Sequence, residues 1–378
     1  MKLYLVLGLL FVLFIIIIII SIIFYPSYYY NYNNKNKNKN INYKIDCDVL
    51  PDSLSNVLDN NNITKNNNNW EYFFSCGYDC KDILTQFENM NGKKIYLIDG
   101  CDWPASKIHL WKLLKNEYGK DASKYMPQTY LLDDKEDVKN FMKHFYKLNK
   151  KYKNHIFVLK NYEQRQEGIK LETNLNNIIN SYYSKIPKNK FYLVQDYLYN
   201  PFLISKRKIN FRYYTLIVCR NGKVEGYIHK DGFVYYTPKD YKSKSLDFNR
   251  HITTGYIDRK IYDTNPLTLI DFRNYLNKIT PNLSDKWDKN VNELMNKIIK
   301  AVSRKVCQNN KLKNNVMFQI FGSDIAPTKN LNAFLMEINK GPDLGAKDER
   351  DKNVKFKVQN DIFKIIENKK DSDFIKIF

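Results

Sequence analysis

Three oxygen-bearing side chains near the C-terminus set the chemical question. Asp324 lies on the apolar run FQIFGSDIA, and Glu337 and Asn339 stand two residues apart on the next one, FLMEIN. The Pro327–Asn332 stretch between them reads as a hairpin turn. Side chains alternate along a strand, so Glu337 and Asn339 share a face, and pairing of the two runs brings Asp324 towards them. Hard oxygen ligands converging from adjacent strands suit Mg²⁺, which takes carboxylates and keeps room for phosphate oxygens. The pattern points to nucleotide chemistry.

Cations recur upstream. The strand HIFVLK ends on Lys160, and a buried strand rarely ends on lysine, although lysine at a strand exit is also common on surfaces. NYEQRQEGI follows, a polar loop holding Arg165 and Gly168 of a type that can fold over phosphates; neither a Walker loop nor G-x-G-x-x-G is present. VQDYL ends a strand whose backbone edge can pair with an adenine ring, with Gln195 able to add a side-chain hydrogen bond. Lys208, Asn210 and Arg212 alternate in KINFR. Two cations on one face repel unless an anion lies between them; a solvated outer face is the other reading. His251-Ile252-Thr253-Thr254 offers hydroxyls, but no Ser/His/Asp or Cys/His arrangement accompanies them. The aromatic-plus-basic composition could serve single strands of nucleic acid, yet no recognised motif supports that, and no nucleic-acid partner is expected.

The elements that must position these groups follow from periodicity. Strands are expected at Lys93–Gly100, Ile156–Lys160, Phe191–Tyr197 and Phe211–Cys219. Val224–His229 should pair with the last through Asn221-Gly222, and Asp231-Gly232 suggests another tight turn. Helices are expected at Lys107–Glu117, at Asp133–Asn149 with Val138, Phe141, Met142, Phe145 and Leu148 inward, and at Trp287–Val306. Helices mixed with antiparallel hairpins indicate an α+β fold.

The 378 residues allow two or three domains, and the net charge of +21 suggests an anionic partner, although an Asn-, Lys-, Ile- and Tyr-rich composition accounts for part of it. Leu3–Tyr25 is an apolar run of bilayer-spanning length, expected to be a single-pass anchor; a cleaved signal peptide is the competitor. Lysines 35, 37, 39 and 44 downstream place the body in the cytosol by the positive-inside rule. The expected organisation is an anchor (1–30), an Asn/Lys-rich tether (31–69), an N-terminal subdomain (70–127), a central lobe (128–198) and a C-terminal lobe (199–378). The six cysteines lack zinc spacing and read as reduced thiols, with a disulfide within 47–101 as the alternative in an oxidising compartment.

Taken in order, FVLKNYEQRQEGI, VQDYLYNPFLISKRKINFRYYTLIV, DGFVYYT, HITT and FQIFGSDIAPTKNLNAFLMEINKGPDLG resemble the tubulin tyrosine ligase-like family of the ATP-grasp superfamily, across roughly residues 100 to 345. The resemblance implies two lobes whose antiparallel sheets clamp ATP. A substrate carboxylate takes the γ-phosphoryl group to give an acyl phosphate, and an amine then displaces phosphate. It implies a free amino acid (tyrosine, glutamate or glycine) as one substrate and an acidic protein tail such as tubulin's as the other. Carried over by motif, Lys160, Arg165 and Gly168 are phosphate-contacting. Gln195, Leu198 (through its backbone) and Thr253 are nucleotide-contacting, Lys208 and Arg212 are catalytic, and Asp324, Glu337 and Asn339 hold Mg²⁺. Lys107 corresponds to a lysine near the phosphates. The chain departs from the family at Asn210, where aspartate is usual, at Tyr235, where a substrate-orienting arginine is usual, and at Thr254 in place of asparagine. These changes favour one alternative to a ligase, a catalytically silent ATP-grasp binding module; the charge leaves another, a basic membrane protein that binds polyanions, against which the intact Asp324, Glu337 and Asn339 set argues.

Overall fold

The computed structural model describes residues 41–46, 50, 52–75, 80–152, 154–162 and 168–378. Its strands are, in chain order, β1 (Ile41–Ile45), β2 (Ile63–Lys65), β3 (Tyr72–Phe74), β4 (Lys94–Tyr96), β5 (Thr129–Leu131), β6 (Phe157–Lys160) and β7 (Ile169–Glu172). They continue as β8 (Leu193–Asp196), β9 (Leu203–Ile204), β10 (Arg207–Arg220), β11 (Lys223–Tyr236), β12 (Val316–Pro327), β13 (Ala333–Asn339) and β14 (Phe374–Lys376). They form one ten-stranded and one four-stranded sheet in an α+β arrangement.

β10 and β12 are apolar on both faces, so they run through the middle of the large sheet, antiparallel to each other and covered on both sides. β10 returns as β11 through Asn221-Gly222, whose φ angles of 53° and 72° are those of a type I′ hairpin, as expected from that dipeptide. The large sheet is not antiparallel throughout. β2, β1, β3, β4 and β12 run parallel, because chain crossovers, including the Asp52–Asn60 helix between β1 and β2, separate them.

Part of the expected tether is therefore ordered. Ile41, Tyr43 and Ile45 alternate along β1, and with Val57, Leu58 and Ile63 they join the main core. The Leu3–Tyr25 run lies outside the described residues; among those described, no helix is long and apolar enough to cross a membrane. Asp231-Gly232 does not make a turn. β11 continues through it, with a bulge opposite Tyr213 to Thr215, and a Cβ on Gly232 would sit 2.2 Å from the Arg212 carbonyl oxygen. The glycine answers a close strand approach rather than a reversal.

The small sheet, in order β5-β8-β6-β7, is antiparallel throughout. Alternation gives it two different faces. Phe157, Leu159 and Val194 pack against Phe141, Phe145 and Ile178 of the helices Lys135–Lys151 and Leu175–Tyr182. Asp134 caps the first of these by accepting from the Glu136 and Asp137 N–H groups, while Met142, expected inward, is 39 % exposed. The opposite face carries Val158, Leu171 and Tyr197, which with Ile156 form a separate apolar cluster turned towards the site.

The cysteines expected to be reduced thiols are disulfide-bonded among the described residues. Cys219 on β10 and Cys307 beyond the Leu283–Val302 helix form a disulfide with Cα atoms 5.5 Å apart, and Cys101 is also disulfide-bonded. Closing the 88-residue separation between Cys219 and Cys307 stabilises the fold by about 4–5 kcal/mol on the chain-entropy view. Trp287 on the Leu283–Val302 helix fixes that helix to the sheet. Its ring lies 4.9 Å from the ring of Phe211, and its N–H donates to the Tyr213 hydroxyl at 2.8 Å. Trp287→Ala is expected to remove about 3–5 kcal/mol of stability, read as a lowered denaturant midpoint at unchanged slope.

Candidate functional site

The hairpin of β12 and β13 is built as the sequence indicated, with Thr328 N–H donating to the Asn332 carbonyl across the turn. Asp324 stands opposite Glu337, and Gly322 opposite Asn339. Asn339 Nδ2 lies 3.5 Å from Asp324 Oδ2 and 3.4 Å from Glu337 Oε1, so the three oxygen-bearing groups converge. Met336 has no partner in the ladder, because pairing steps from Glu337 to Leu335 against Asp324 and Ile325. The bulge turns the Met336 carbonyl towards the small sheet, where it accepts a hydrogen bond from Lys160 Nζ at 3.2 Å.

Among the described residues, four cations lie at or beside this group. Lys160, at the end of β6, is buried, and Lys107, first residue of the Lys107–Tyr118 helix, lies with its Nζ 3.8 Å from Glu337 Oε2. Lys208 on β10 is 4 % exposed, which rules out the solvated-face reading of KINFR, and its ammonium sits 4.8 Å from the centre of the Tyr197 ring. Arg212 grips Asp324 with both prongs, Nε to Oδ1 at 2.6 Å and a terminal nitrogen to Oδ2 at 3.2 Å. That grip requires Gly322, where a Cβ would lie 2.9 Å from Arg212 Cδ. A mid-strand glycine in FGSD was the available signal for this contact. Nothing among so many tyrosines marked Tyr197.

The charges act on one another. Burial pushes the Lys160 ammonium down to about 8, and the field of Lys107 adds to that against the pull of Glu337 and Asp324. Burial and then Lys160 push Lys208 down to about 8 as well. Burial and the Glu337 charge raise Asp324 to about 6 against Arg212. Burial would raise Glu337 too, but Lys107, Lys160 and Arg212 outweigh it and hold that carboxyl below its ordinary value. Two buried lysines that repel each other, beside two carboxylates and an amide, form a site for an anion carried with a cation.

The apolar face of the small sheet continues this site. Gln195 lies opposite Val158, two positions from Lys160. Its Nε2 donates to Thr129 Oγ1 at 2.8 Å, while its Oε1 is buried without a partner among the described residues. His251 accepts from or donates to the Tyr197 hydroxyl through Nδ1 at 2.8 Å, and its Nε2 is also unpartnered. Orphaned polar atoms on a dry face beside two lysines fit a nucleotide with a polar base edge and a charged tail. A cleft of about 80 Å³ is lined by Lys107, Lys160, Tyr192, Glu337 and Asn339. The larger groove of about 910 Å³ runs along Asn290–Lys297 and Ile375–Ile377 and contains none of these groups.

The remaining expected positions are more peripheral. Gly168 is buried, and its carbonyl accepts from Asn161 N–H at 2.9 Å, closing the base of the loop after β6. Arg165 lies outside the described residues. Leu198 follows β8 and is half-buried, as is Thr253, which precedes the bridge from Thr254 to Tyr236.

The Tubulin-tyrosine ligase family model matches residues 86–373, most of the chain. The chain belongs to the tubulin-tyrosine ligase family. Among curated relatives it is 26 % identical over 205 residues to Tubulin glycylase 3B of Drosophila melanogaster, covering 51 % of this chain and 26 % of that protein. It is 26 % identical over 185 residues to Probable tubulin polyglutamylase ttll-9 of Caenorhabditis elegans, covering 47 % and 43 %. With the Probable beta-tubulin polyglutamylase of Tetrahymena thermophila it shares 25 % over 299 residues, covering 72 % and 24 %. The chain thus spans under half the length of each of these relatives.

In this family member, Tyr235 packs against Arg212. Its ring lies under the Arg212 guanidinium at 5.5 Å and against Gly255, and burial pushes its hydroxyl up to about 12. Asn210, opposite Tyr235 on β10, keeps its Oδ1 buried without a partner among the described residues.

The lysines give the site a pH signature. Above about pH 8 the free protein holds Lys160 and Lys208 neutral, so an anionic ligand that needs both ammonium groups must take up protons on binding. Mg-ATP affinity measured by calorimetry is expected to fall as pH rises from 7 to 9.5, approaching about tenfold per pH unit for each lysine. Over the same range these two groups raise the stability of the free fold, because the unfolded chain binds the extra protons. A pH-independent affinity would contradict the lysine assignment.

Proposed function

We propose that this chain is an ATP- and Mg²⁺-dependent carboxylate–amine ligase of the ATP-grasp type. It would join a free amino acid to an acidic protein segment of the kind found on tubulin tails. The observation that carries this reading is the meeting of Lys160 from the small sheet with Lys208, Asp324, Glu337 and Asn339 from the large one. The relatives whose names specify glycylation or glutamylation of tubulin support the reaction class.

On this reading, Asp324, Glu337 and Asn339 would hold the metal through their side-chain oxygens. Lys160, Lys208 and Lys107 hold the phosphate chain, and the Val158–Tyr197 face holds the base, with Gln195 and the Leu198 backbone at its edge. When bound, ATP supplies the phosphoryl group that activates a carboxylate, and the metal supplies the charge that offsets it. The residues of this chain then bind, orient and exclude water. Buried ammonium groups act strongly there because little solvent screens them. Arg212, joined to Asp324, links the metal group to the substrate side, where it could meet the carboxylate that receives phosphate.

A second reading has one observation in its favour. Tyr235 stands where a substrate-orienting arginine is usual and packs against Arg212, which suits a module that binds ATP without turnover.

Glu337→Gln is expected to weaken Mg-ATP affinity by on the order of 100-fold, since even groups beside a metal's own ligands are worth roughly 10–100-fold. The wild-type chain, given ATP, pooled amino acids and acidic-tailed proteins, is expected to release phosphate and add mass to one of them. Tight Mg-ATP binding without turnover across a broad panel would select the silent module. Equal affinity in Glu337→Gln would remove the metal assignment.

A further inference from the structure

The disulfides and two surface turns carry information about where this protein works. Cys101, Cys219 and Cys307 are all disulfide-bonded, and no cysteine among the described residues is free. The Cys219–Cys307 bond is built into the fold rather than laid on its surface. Cys219 lies near the hairpin end of β10, a strand inside the large sheet, paired with Val224 on one side and Met317 on the other, and is 2 % exposed. Cys307 is buried too, and its N–H donates to the Asp99 carbonyl at 3.1 Å. The bond thus ties the hairpin end of an inner strand of the large sheet to the segment that meets Asp99. Regulatory disulfides are typically exposed or strained so that a reductant can reach them, whereas a buried bond between a core strand and a distant loop is structural. Structural disulfides form and persist in oxidising compartments.

A second, independent observation points the same way. Asn62-Ile63-Thr64 and Asn282-Leu283-Ser284 match Asn-x-Ser/Thr, the N-glycosylation acceptor pattern. An Asn-rich chain produces such triplets by chance, so placement decides their worth. Both asparagines are exposed and both sit in turns, at φ 54° and 59°. Asn282 occupies the cap position of the Leu283–Val302 helix, yet its side chain makes no capping hydrogen bond, leaving the amide unused by the fold. A bulky glycan on either nitrogen would project into solvent.

We propose that this body folds and acts in an oxidising, extracytoplasmic compartment, with Cys219–Cys307 as a structural disulfide formed there and Asn62 and Asn282 as N-glycosylation sites. The apolar run Leu3–Tyr25 is of a length that carries a chain into or across a membrane, whether as an anchor or as a leader. The orientation is then opposite to the one read from the downstream lysines. That bias is weak evidence, because lysine pervades the whole chain and large domains translocate largely regardless of charge. Formation of the bond balances as thiol–disulfide exchange. The Cys219 and Cys307 thiols lose two protons and two electrons to the disulfide of a compartmental oxidoreductase, which leaves as a dithiol. One consequence rests on the ligase reading above: the acceptor is an acidic segment of a protein in that compartment rather than cytoskeletal tubulin.

The test uses the full chain expressed in a eukaryotic host, denatured in the presence of a maleimide-polymer reagent with and without prior reduction, and treated in parallel with an endoglycosidase. Cys219 and Cys307 are expected to resist labelling until reduced. The endoglycosidase is expected to remove two glycan-sized increments of mass, one of which is lost in Asn62→Gln and the other in Asn282→Gln. Peptide mass spectrometry of the wild-type chain reads occupancy at each asparagine even if a variant fails to fold. Free labelling without reductant together with no endoglycosidase shift overturns the compartment. Oxidised cysteines without glycans overturn the two asparagine assignments, and glycans with freely labelled Cys219 and Cys307 overturn the disulfide. None of these readouts involves nucleotide, so a failed ligase assay leaves them intact and their failure leaves the ligase reading standing.

Discussion

Burial of two neighbouring ammonium groups is the constraint around which this molecule is arranged. Lys160 closes a strand of the small sheet, Lys208 opens a strand of the large one, and both are almost wholly removed from water. Burial alone disfavours each charge, and the field of Lys160 disfavours Lys208 further. A fold gains nothing in stability from this arrangement. It makes sense where a polyanion enters between the sheets and turns the repulsion into attraction.

The rest of the site follows from keeping those charges apart until they are used. The bulge at Met336 offers Lys160 a carbonyl oxygen, and Tyr197 offers Lys208 an aromatic face, so each ammonium has a weak partner rather than a carboxylate that would neutralise it. The carboxylates are occupied elsewhere. Asp324 is held in the Arg212 fork, Glu337 lies nearest to Lys107, and Asn339 spans both carboxylates. Glycines at 232 and 322 make this possible, because a methyl group at either would collide with Arg212, its backbone in one case and its side chain in the other.

Much of the site was legible because strand periodicity is short and rigid. Alternation alone put Glu337 with Asn339 and Lys208 with Arg212, and the Asn221-Gly222 and Pro327–Asn332 turns fixed which strands meet. What escaped was whatever depends on distant pairing. β1 and β2 are five and three residues long within an Asn/Lys-rich stretch, too short for a pattern to emerge, and their parallel neighbours are set by the core. Asp231-Gly232 carries the same local signal in a bulge as in a turn. The partner of Cys219 lies 88 residues away, beyond any spacing rule. Arg212 was read as catalytic, and only the mid-strand glycine at 322 hinted that it would bind Asp324 so directly.

The central claim is tested most directly at the lysines themselves. The ¹³Cε and ¹⁵Nζ resonances of Lys160 and Lys208 can be followed through a pH titration, with and without Mg²⁺ and a non-hydrolysable ATP analogue. Both are expected to titrate near 8 in the free protein and to move upward when the nucleotide is added. Titration near the ordinary lysine value in both states, with no response to nucleotide, would contradict the account.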